Sequence, residues 1–164
     1  MGKVQIFGAK GWLANKLAGF MHDATLASVD IAKPRDVAVA MDLVEPDVVI
    51  NSAGKTGRPN IDWCEDHRAE TYYSNVTGPV VLSRACSERG IFMAHLSSGC
   101  IFDGESPDPA GWTEEDCPNP VSYYGQTKVE AEFRLLDADC RILIVRLRMP
   151  VDREPSIRNL ITKI

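Results

Sequence analysis

A chain of 164 residues is long enough for about one domain, and 45% hydrophobic with 25% charged residues is the composition of an ordinary globular core and surface. A net charge of −5 and an isoelectric point near 5.2 argue against a nucleic acid or a membrane as the main partner. No apolar run approaches the ~18 residues of a membrane span, and the opening MGKVQIFGAKGW lacks the long apolar stretch of a secretory leader.

In chain order, KVQIFG (3–8) is a short apolar run ending in glycine, the pattern of a buried strand. WLANKLAGFM (12–21) places Trp12, Leu13, Leu17 and Met21 at helical spacing. ATLASVD (24–30) suits a second strand. KPRDVAVAMDLVEP (33–46) suits a helix opened by Pro34 and closed by Pro46. DVVINSAG (47–54) is a β-branched strand ending in small residues. A loop and helix follow over 55–67, then one long helix over 69–90, stopped by Gly90 and carrying Pro79 in its interior. IFMAHLSS (91–98) is another buried strand, and the Pro-, Gly- and acid-rich 104–120 is a loop. SYYGQTKVEAEFRLLDA (122–138) is a helix, and CRILIVRLRMP (140–150) a last strand. Such alternation, with nearly continuous apolar strands, predicts an α/β fold: a doubly wound parallel sheet, Rossmann-like, with helices on both faces. Ligands of such a sheet bind at the carboxyl ends of its strands.

The five cysteines (64, 86, 100, 117 and 140) are odd in number, form no C-x-x-C and do not cluster with the three histidines at metal-ligand spacing. The expectation is a reduced, cytoplasmic protein with no metal site. His67 and His95 are read as structural, Cys64 and Trp63 as packing of the loop–helix junction, and Asn75 as a brace for a helix bend ahead of Pro79.

The chemistry-bearing residues gather at the strand ends. In GAKGWLA (8–14), Gly8 and Gly11 bend the strand-to-helix turn and let backbone N–H groups approach a pyrophosphate, while Ala14 replaces the usual third glycine and is small enough for close packing. Asp30 lies 22 residues beyond Gly8, near the distance at which an acid meets an adenosine ribose. It would also fit beside the adenine ring or as a solvated turn acid, and Lys33 and Arg35 would suit a phosphate, so NAD and NADP stay open. NSAG (51–54) offers small residues against which a cofactor can lie. SSGCIFDG (97–104) puts a hydroxyl after a buried strand. On the following helix Tyr124 and Lys128 are four apart and share a face, whereas Tyr123 points elsewhere. A cation beside a phenol favours phenolate and is expected to lower its pKa from ~10.

A glycine-rich turn, a small-residue strand end, a serine strand end and Tyr-x-x-x-Lys 26 residues beyond Ser98 occur in an order that resembles the extended short-chain dehydrogenase/reductase family, in its 4-dehydrorhamnose reductase branch. The blocks GRPNIDWCE (57–65), GCIF (99–102), RLRMP (146–150) and RNLITKI (158–164) look like those of the UDP-4-keto-6-deoxyglucose 3,5-epimerase/4-reductases of rhamnose synthesis, and the likeness covers nearly the whole chain.

The resemblance implies a set of roles. Ser98 would hold the C4 carbonyl of a nucleotide-linked 4-keto-6-deoxy sugar, and Tyr124 would protonate its oxygen. Lys128 would bind the nicotinamide ribose of NADP or NAD and depress the phenol pKa. Gly8, Gly11, Trp12 and Leu13 would line the pyrophosphate, Ala53 and Gly54 the body of the cofactor, and Pro150 the nicotinamide. Arg58 and Asn60 would approach the sugar. Cys100 and Lys163 would be the acid–base pair for epimerisation at C3 and C5. A homodimer is a family expectation. Residues 1–150 would be the dinucleotide-binding domain and 151–164 the start of a substrate-binding region that similar enzymes continue further. The alternatives are a cofactor-binding regulatory subunit without chemistry and a reductase without epimerase activity.

Overall fold

A computed structural model describes residues 2–156 and 159–163. Five parallel strands form one sheet: β1 (Val4–Phe7), β2 (Ala24–Ala27), β3 (Val48–Asn51), β4 (Phe92–Ser98) and β5 (Ile142–Leu147), in the order β2-β1-β3-β4-β5. The order reverses between β1 and β3, which opens a crevice at the carboxyl ends of those two strands. The doubly wound, Rossmann-like arrangement is the one expected from the alternating pattern.

The faces of the sheet are covered unequally. Phe7, Val49 and Met93 point to one side, under a core completed by Val37 and Met41 of α2 (Pro34–Val44), Leu82, Ala85 and Cys86 of α5 (Gly78–Glu88), and Leu135 of α6 (Tyr123–Leu136). Ile6 and Ile50 point to the other, against Ala14 and Leu17 of α1 (Trp12–Phe20). Ala14 is fully buried there, which supports its reading as the close-packing residue of the turn.

Three boundaries differ from expectation. Strand β2 ends at Ala27, because the Ala27 carbonyl receives the Gly8 and Ala9 amides of the β1–α1 turn, each at 3.3 Å. Asp30 therefore stands in a turn, exposed, its carboxylate accepting from the Ala32 amide at 3.0 Å. The small-residue run after Asn51 is loop, not strand. The long helix is assembled from α4 (Arg68–Tyr72), one π-helical turn over Tyr73–Thr77, and α5, with the short α3 (Trp63–Asp66) just ahead of it. Pro79 has no N–H to give to the carbonyl four residues back, and the wider turn absorbs that missing bond within a continuous helical path. Gly90, with φ +65, closes the helix by donating to the Ser87 carbonyl at 3.0 Å. A last short helix, α7 (Leu160–Lys163), lies in the C-terminal segment.

Candidate active site

The crevice between β1 and β3 is walled by main chain. Gly8 has φ +105, and a Cβ there would lie 2.8 Å from the Ala53 nitrogen, so only glycine lets the first turn pack on the end of β3. Gly11 folds back to donate to the Gly8 carbonyl at 2.7 Å. No side chain caps the first turn of α1, so its N–H groups stay available to an anion. Trp12 and Leu13 open that helix half-buried. On the other wall, the Asn51 amide oxygen accepts from the Ala53 N–H at 3.1 Å and holds the loop that carries Ala53 and Gly54.

At the β4 side the site is made of side chains. Ser122 caps α6 through the Gly125 amide at 3.1 Å, and Glu65 of α3 accepts from the Tyr123 amide at 2.5 Å. Two acceptors thus fix where the helix starts and which face it turns to the sheet. Gly125 lets that end sit close, since a Cβ there would meet the Cys100 carbonyl at 2.6 Å. Tyr124 and Lys128 are buried on the sheet-facing side, while Tyr123 turns away, its ring under the Arg68 guanidinium at 4.7 Å.

The Ser98 hydroxyl neighbours the Tyr124 phenol and favours its ionised form. That hydroxyl also accepts from the Cys100 amide at 3.1 Å, which brings the cysteine to the same mouth. Lys128 donates from Nζ to the Leu96 carbonyl at 3.1 Å and lies 5.9 Å from the centroid of the Tyr124 ring. A Cβ on Gly54 would stand 3.7 Å from Nζ, so the cradle of the first crevice opens onto the ammonium. Ser98, Cys100, Tyr124, Lys128 and Gly54, from four separate segments, converge at one place.

The electrostatics correct one expectation. The phenol is not acidified by Lys128; burial pushes its pKa up to about 12, with Ser98 opposing the rise and Cys100 and Cys64 adding to it. The ammonium is itself desolvated, which lowers its pKa to about 8 against an upward pull from Glu132. At neutral pH the pair is a neutral phenol beside a largely charged amine.

Sequence reading overlooked the braces behind these residues. Glu132, one further turn along α6, is buried; it accepts from the Ser97 hydroxyl and from the Arg146 guanidinium at 2.8 and 3.1 Å. The four-residue repeat of Tyr124, Lys128 and Glu132 was a visible signal for it. Asn75, read only as a bend brace, sits on the π turn, fully buried. Its side chain accepts from the Lys55 amide (2.7 Å) and donates to the Lys55 carbonyl (3.0 Å) and the Thr127 hydroxyl (3.2 Å). It ties the loop after β3 to α6. His95 is fully buried beneath the site. Because Asn51 gives its oxygen to Ala53, its amide nitrogen donates to His95 Nδ1 at 3.0 Å, which leaves the proton on Nε2. Burial and the charge of Lys128 hold its pKa well below 6.5.

Other expected residues stand apart. Asn60 is engaged with Asp62 of its own loop at 2.9 Å and Arg58 is exposed beside it. Pro150 is exposed after Met149, a non-glycine residue at φ +47. Lys163 ends α7, and its side chain lies outside the described residues. No group of three or more His, Cys, Asp or Glu poised for a metal occurs among the described residues. Nor is any helix among them long and apolar enough to cross a membrane.

A parallel doubly wound sheet with a glycine-lined turn after its first strand is a Rossmann-like domain. The chain belongs to the family described as the RmlD substrate binding domain, whose model matches residues 2–153. It is 36% identical over 97% of its length to a bifunctional dTDP-4-dehydrorhamnose 3,5-epimerase/dTDP-4-dehydrorhamnose reductase of Arabidopsis thaliana, and spans 56% of that protein. A trifunctional UDP-glucose 4,6-dehydratase/UDP-4-keto-6-deoxy-D-glucose 3,5-epimerase/UDP-4-keto-L-rhamnose-reductase of the same plant is 38% identical over 99% of the chain, which spans 26% of it. Among solved structures, the UDP-rhamnose synthase of Acanthamoeba polyphaga mimivirus superposes with a TM-score of 0.87 at 30% identity, covering 99% of this chain and 61% of that one.

Proposed function

We propose that this chain is the dinucleotide-binding, proton-donating part of a reductase that acts on the C4 ketone of a nucleotide-linked 4-keto-6-deoxy sugar, together with 3,5-epimerisation of the ring. The convergence of Ser98, Tyr124 and Lys128 beside the glycine cradle carries this reading. When bound, NADP or NAD supplies the hydride. The residues that would hold it are Gly8, Gly11, Trp12 and Leu13 at the pyrophosphate, Ala53 and Gly54 along its body, Lys128 and Pro150 toward the nicotinamide, and Asp30 at the adenosine end. The fit rests on a crevice where side chains are excluded by contact and on an uncapped helix start.

Ser98 orients the sugar carbonyl and Tyr124 delivers a proton to its oxygen. A phenol with a pKa of about 12 is fully protonated at neutral pH, and an alkoxide is more basic than a phenolate, so the transfer runs downhill in the direction of reduction. Lys128 stabilises the phenolate left behind, and the surrounding burial excludes water from the transfer. Cys100 at the same mouth, with Lys163, is assigned to proton exchange at C3 and C5. Arg58 and Asn60 are assigned to the sugar nucleotide. Residues 1–150 form the dinucleotide-binding domain and 151–164 begin the substrate-binding region. Asp152, near the start of that region, pairs with Lys16 of α1 at 2.7 Å. The five unbonded cysteines suit a reducing, cytoplasmic compartment, and a homodimer is the assembly expected.

The test is to incubate the chain with NADPH or NADH and a UDP- or dTDP-linked 4-keto-6-deoxyglucose in heavy water. Nicotinamide absorbance and exchange of sugar protons are followed together. The expected result is sugar-dependent cofactor oxidation, with exchange that needs no cofactor. Oxidation without exchange reduces the proposal to a simple reductase. Cofactor binding with neither signal overturns it in favour of a regulatory subunit.

A further inference from the structure

Three consecutive residues of β4 are each gripped by a different turn of α6. The Leu96 carbonyl takes Lys128 Nζ at 3.1 Å, the Ser97 hydroxyl donates to Glu132, and the Ser98 hydroxyl meets Tyr124. The three helix residues are spaced by four and form one stripe. Glu132 is the one of them that touches neither the site mouth nor a main-chain atom. It is 3% exposed, and all its recorded partners are side chains.

Its second oxygen accepts from Arg146 at Nη2 (2.8 Å) and Nε (3.1 Å), and Arg146 is the register partner of Ser97 on β5. One carboxylate therefore clamps the ends of two neighbouring strands, β4, which leads to Ser98 and Cys100, and β5 beside it. Arg146 continues the network outward, donating to the Glu114 carbonyl at 3.2 Å and covering the Phe102 ring at 5.6 Å. Phe102 in turn stacks on Trp112 at 4.8 Å.

The charges explain why this group must be acidic. A glutamine would satisfy the Ser97 hydroxyl equally well, but it would leave two buried or half-buried cations, Lys128 and Arg146, without a counter-ion. The titratable groups that face the stripe are His95 of β4, Cys64 of α3, Cys100 of the turn after β4, and Arg146 of β5; Glu132 is the one that pulls toward the charged form of Lys128. We propose that Glu132 is a positioning residue for the Ser98–Tyr124–Lys128 centre, acting through the Ser97 and Arg146 strand ends and through the charge it sets opposite Lys128. This rests on the assignment of Tyr124 and Lys128 above. Burial lowers the Lys128 pKa to about 8 even against the upward pull of Glu132, so losing that pull brings the titration of the amine closer to neutral pH.

The test reads Lys128 directly. The Nζ titration is followed by NMR of the full chain labelled in its lysines, in the wild type, Glu132→Gln, Glu132→Asp and the double variant Glu132→Gln/Arg146→Met, with Lys128→Arg to assign the signal. The double variant leaves no unpaired guanidinium and guards against simple misfolding of the single one. The expected result is that the Lys128 midpoint falls by about one pH unit, a tenfold change in proton affinity, in Glu132→Gln and remains low in the double variant. Glu132→Asp should recover most of it. In the reductase assay the alkaline limb of kcat should move down by the same amount, with KM for the cofactor changing less than kcat. An unchanged Lys128 midpoint in a folded variant overturns the proposal, as does full recovery in the double variant, which would make the role one of packing alone. A shifted midpoint in a chain that reduces no sugar upholds the role of Glu132 and counts instead against the proposed function.

Discussion

At the β1–β3 end of the crevice the chain presents backbone, whereas at the β4–β5 end it presents buried charge. The first half works by what is missing: Gly8, Gly11, Ala53 and Gly54 keep side chains out so that a ligand can reach main-chain N–H groups. The second half works by what has been desolvated: Tyr124, Lys128 and Glu132 are all under a tenth exposed, and each is held by a partner. A cradle of backbone tolerates little added volume but titrates nothing. A centre of buried ionisable groups tolerates isosteric change in shape but responds to pH and to the loss of a single proton.

The largest expected effect falls on the charged half. Tyr124→Phe keeps the ring and removes the proton, and kcat for sugar reduction should fall by about 10²–10⁴-fold. Cofactor affinity, measured by nicotinamide fluorescence, should barely change, and proton exchange on the sugar should persist. Loss of cofactor binding in this variant would erase the distinction between the halves.

Gly8→Ala should do the reverse. The positive φ and the 2.8 Å contact with the Ala53 nitrogen predict destabilisation of about 1–3 kcal/mol, read from the denaturant midpoint, together with weakened cofactor binding. An alanine accommodated with neither loss would show that the cradle is looser than its geometry implies.

Asn75→Ala probes the joint between the halves. It leaves the Lys55 amide and carbonyl and the Thr127 hydroxyl without their partner. A loss of about 1–3 kcal/mol is expected, with both cofactor affinity and kcat reduced because the loop after β3 and α6 are released from each other. An effect confined to one of the two would place Asn75 in that half alone.

The smallest effect is a pH slope. His95 is held neutral in the fold, with its pKa well below 6.5, whereas in the unfolded chain it binds a proton near that value. The unfolded state therefore takes up the extra proton, and stability should fall as pH drops below about 6.5, by at most about 1.4 kcal/mol per pH unit. Denaturant midpoints between pH 7 and pH 5 should show this slope in the wild type and a shallower one in His95→Gln. Equal slopes would remove His95 as its source.

Much of the cradle was legible in advance because glycine spacing and strand ends are local features. Gly8, Gly11 and Ala14 carry the turn in their own order along the chain, and their positions in the fold follow it. Tyr124 and Lys128 were legible for the same reason, since four residues on a helix share a face. The strand before Asp30 is shorter than its sequence pattern because its end is decided by bonds from Gly8 and Ala9 to Ala27, a contact between the first turn and β2. The π turn before Pro79 was hidden in a helix-rich stretch, where periodicity alone reads as one uninterrupted element.

The order of residues along the chain by itself determined the alternating elements, the parallel sheet, the uncluttered first turn and the pairing of a phenol with an amine on one helix face, because each depends on neighbours within a few residues. Only the tertiary structure decided the rest. It showed that the phenol is raised rather than lowered in pKa, that Cys100 shares its mouth, and that Glu132, Ser97 and Arg146 meet behind it, from positions up to 49 residues apart. Burial and partner geometry set the charge of an ionisable group, and neither exists until distant strands and helices have packed.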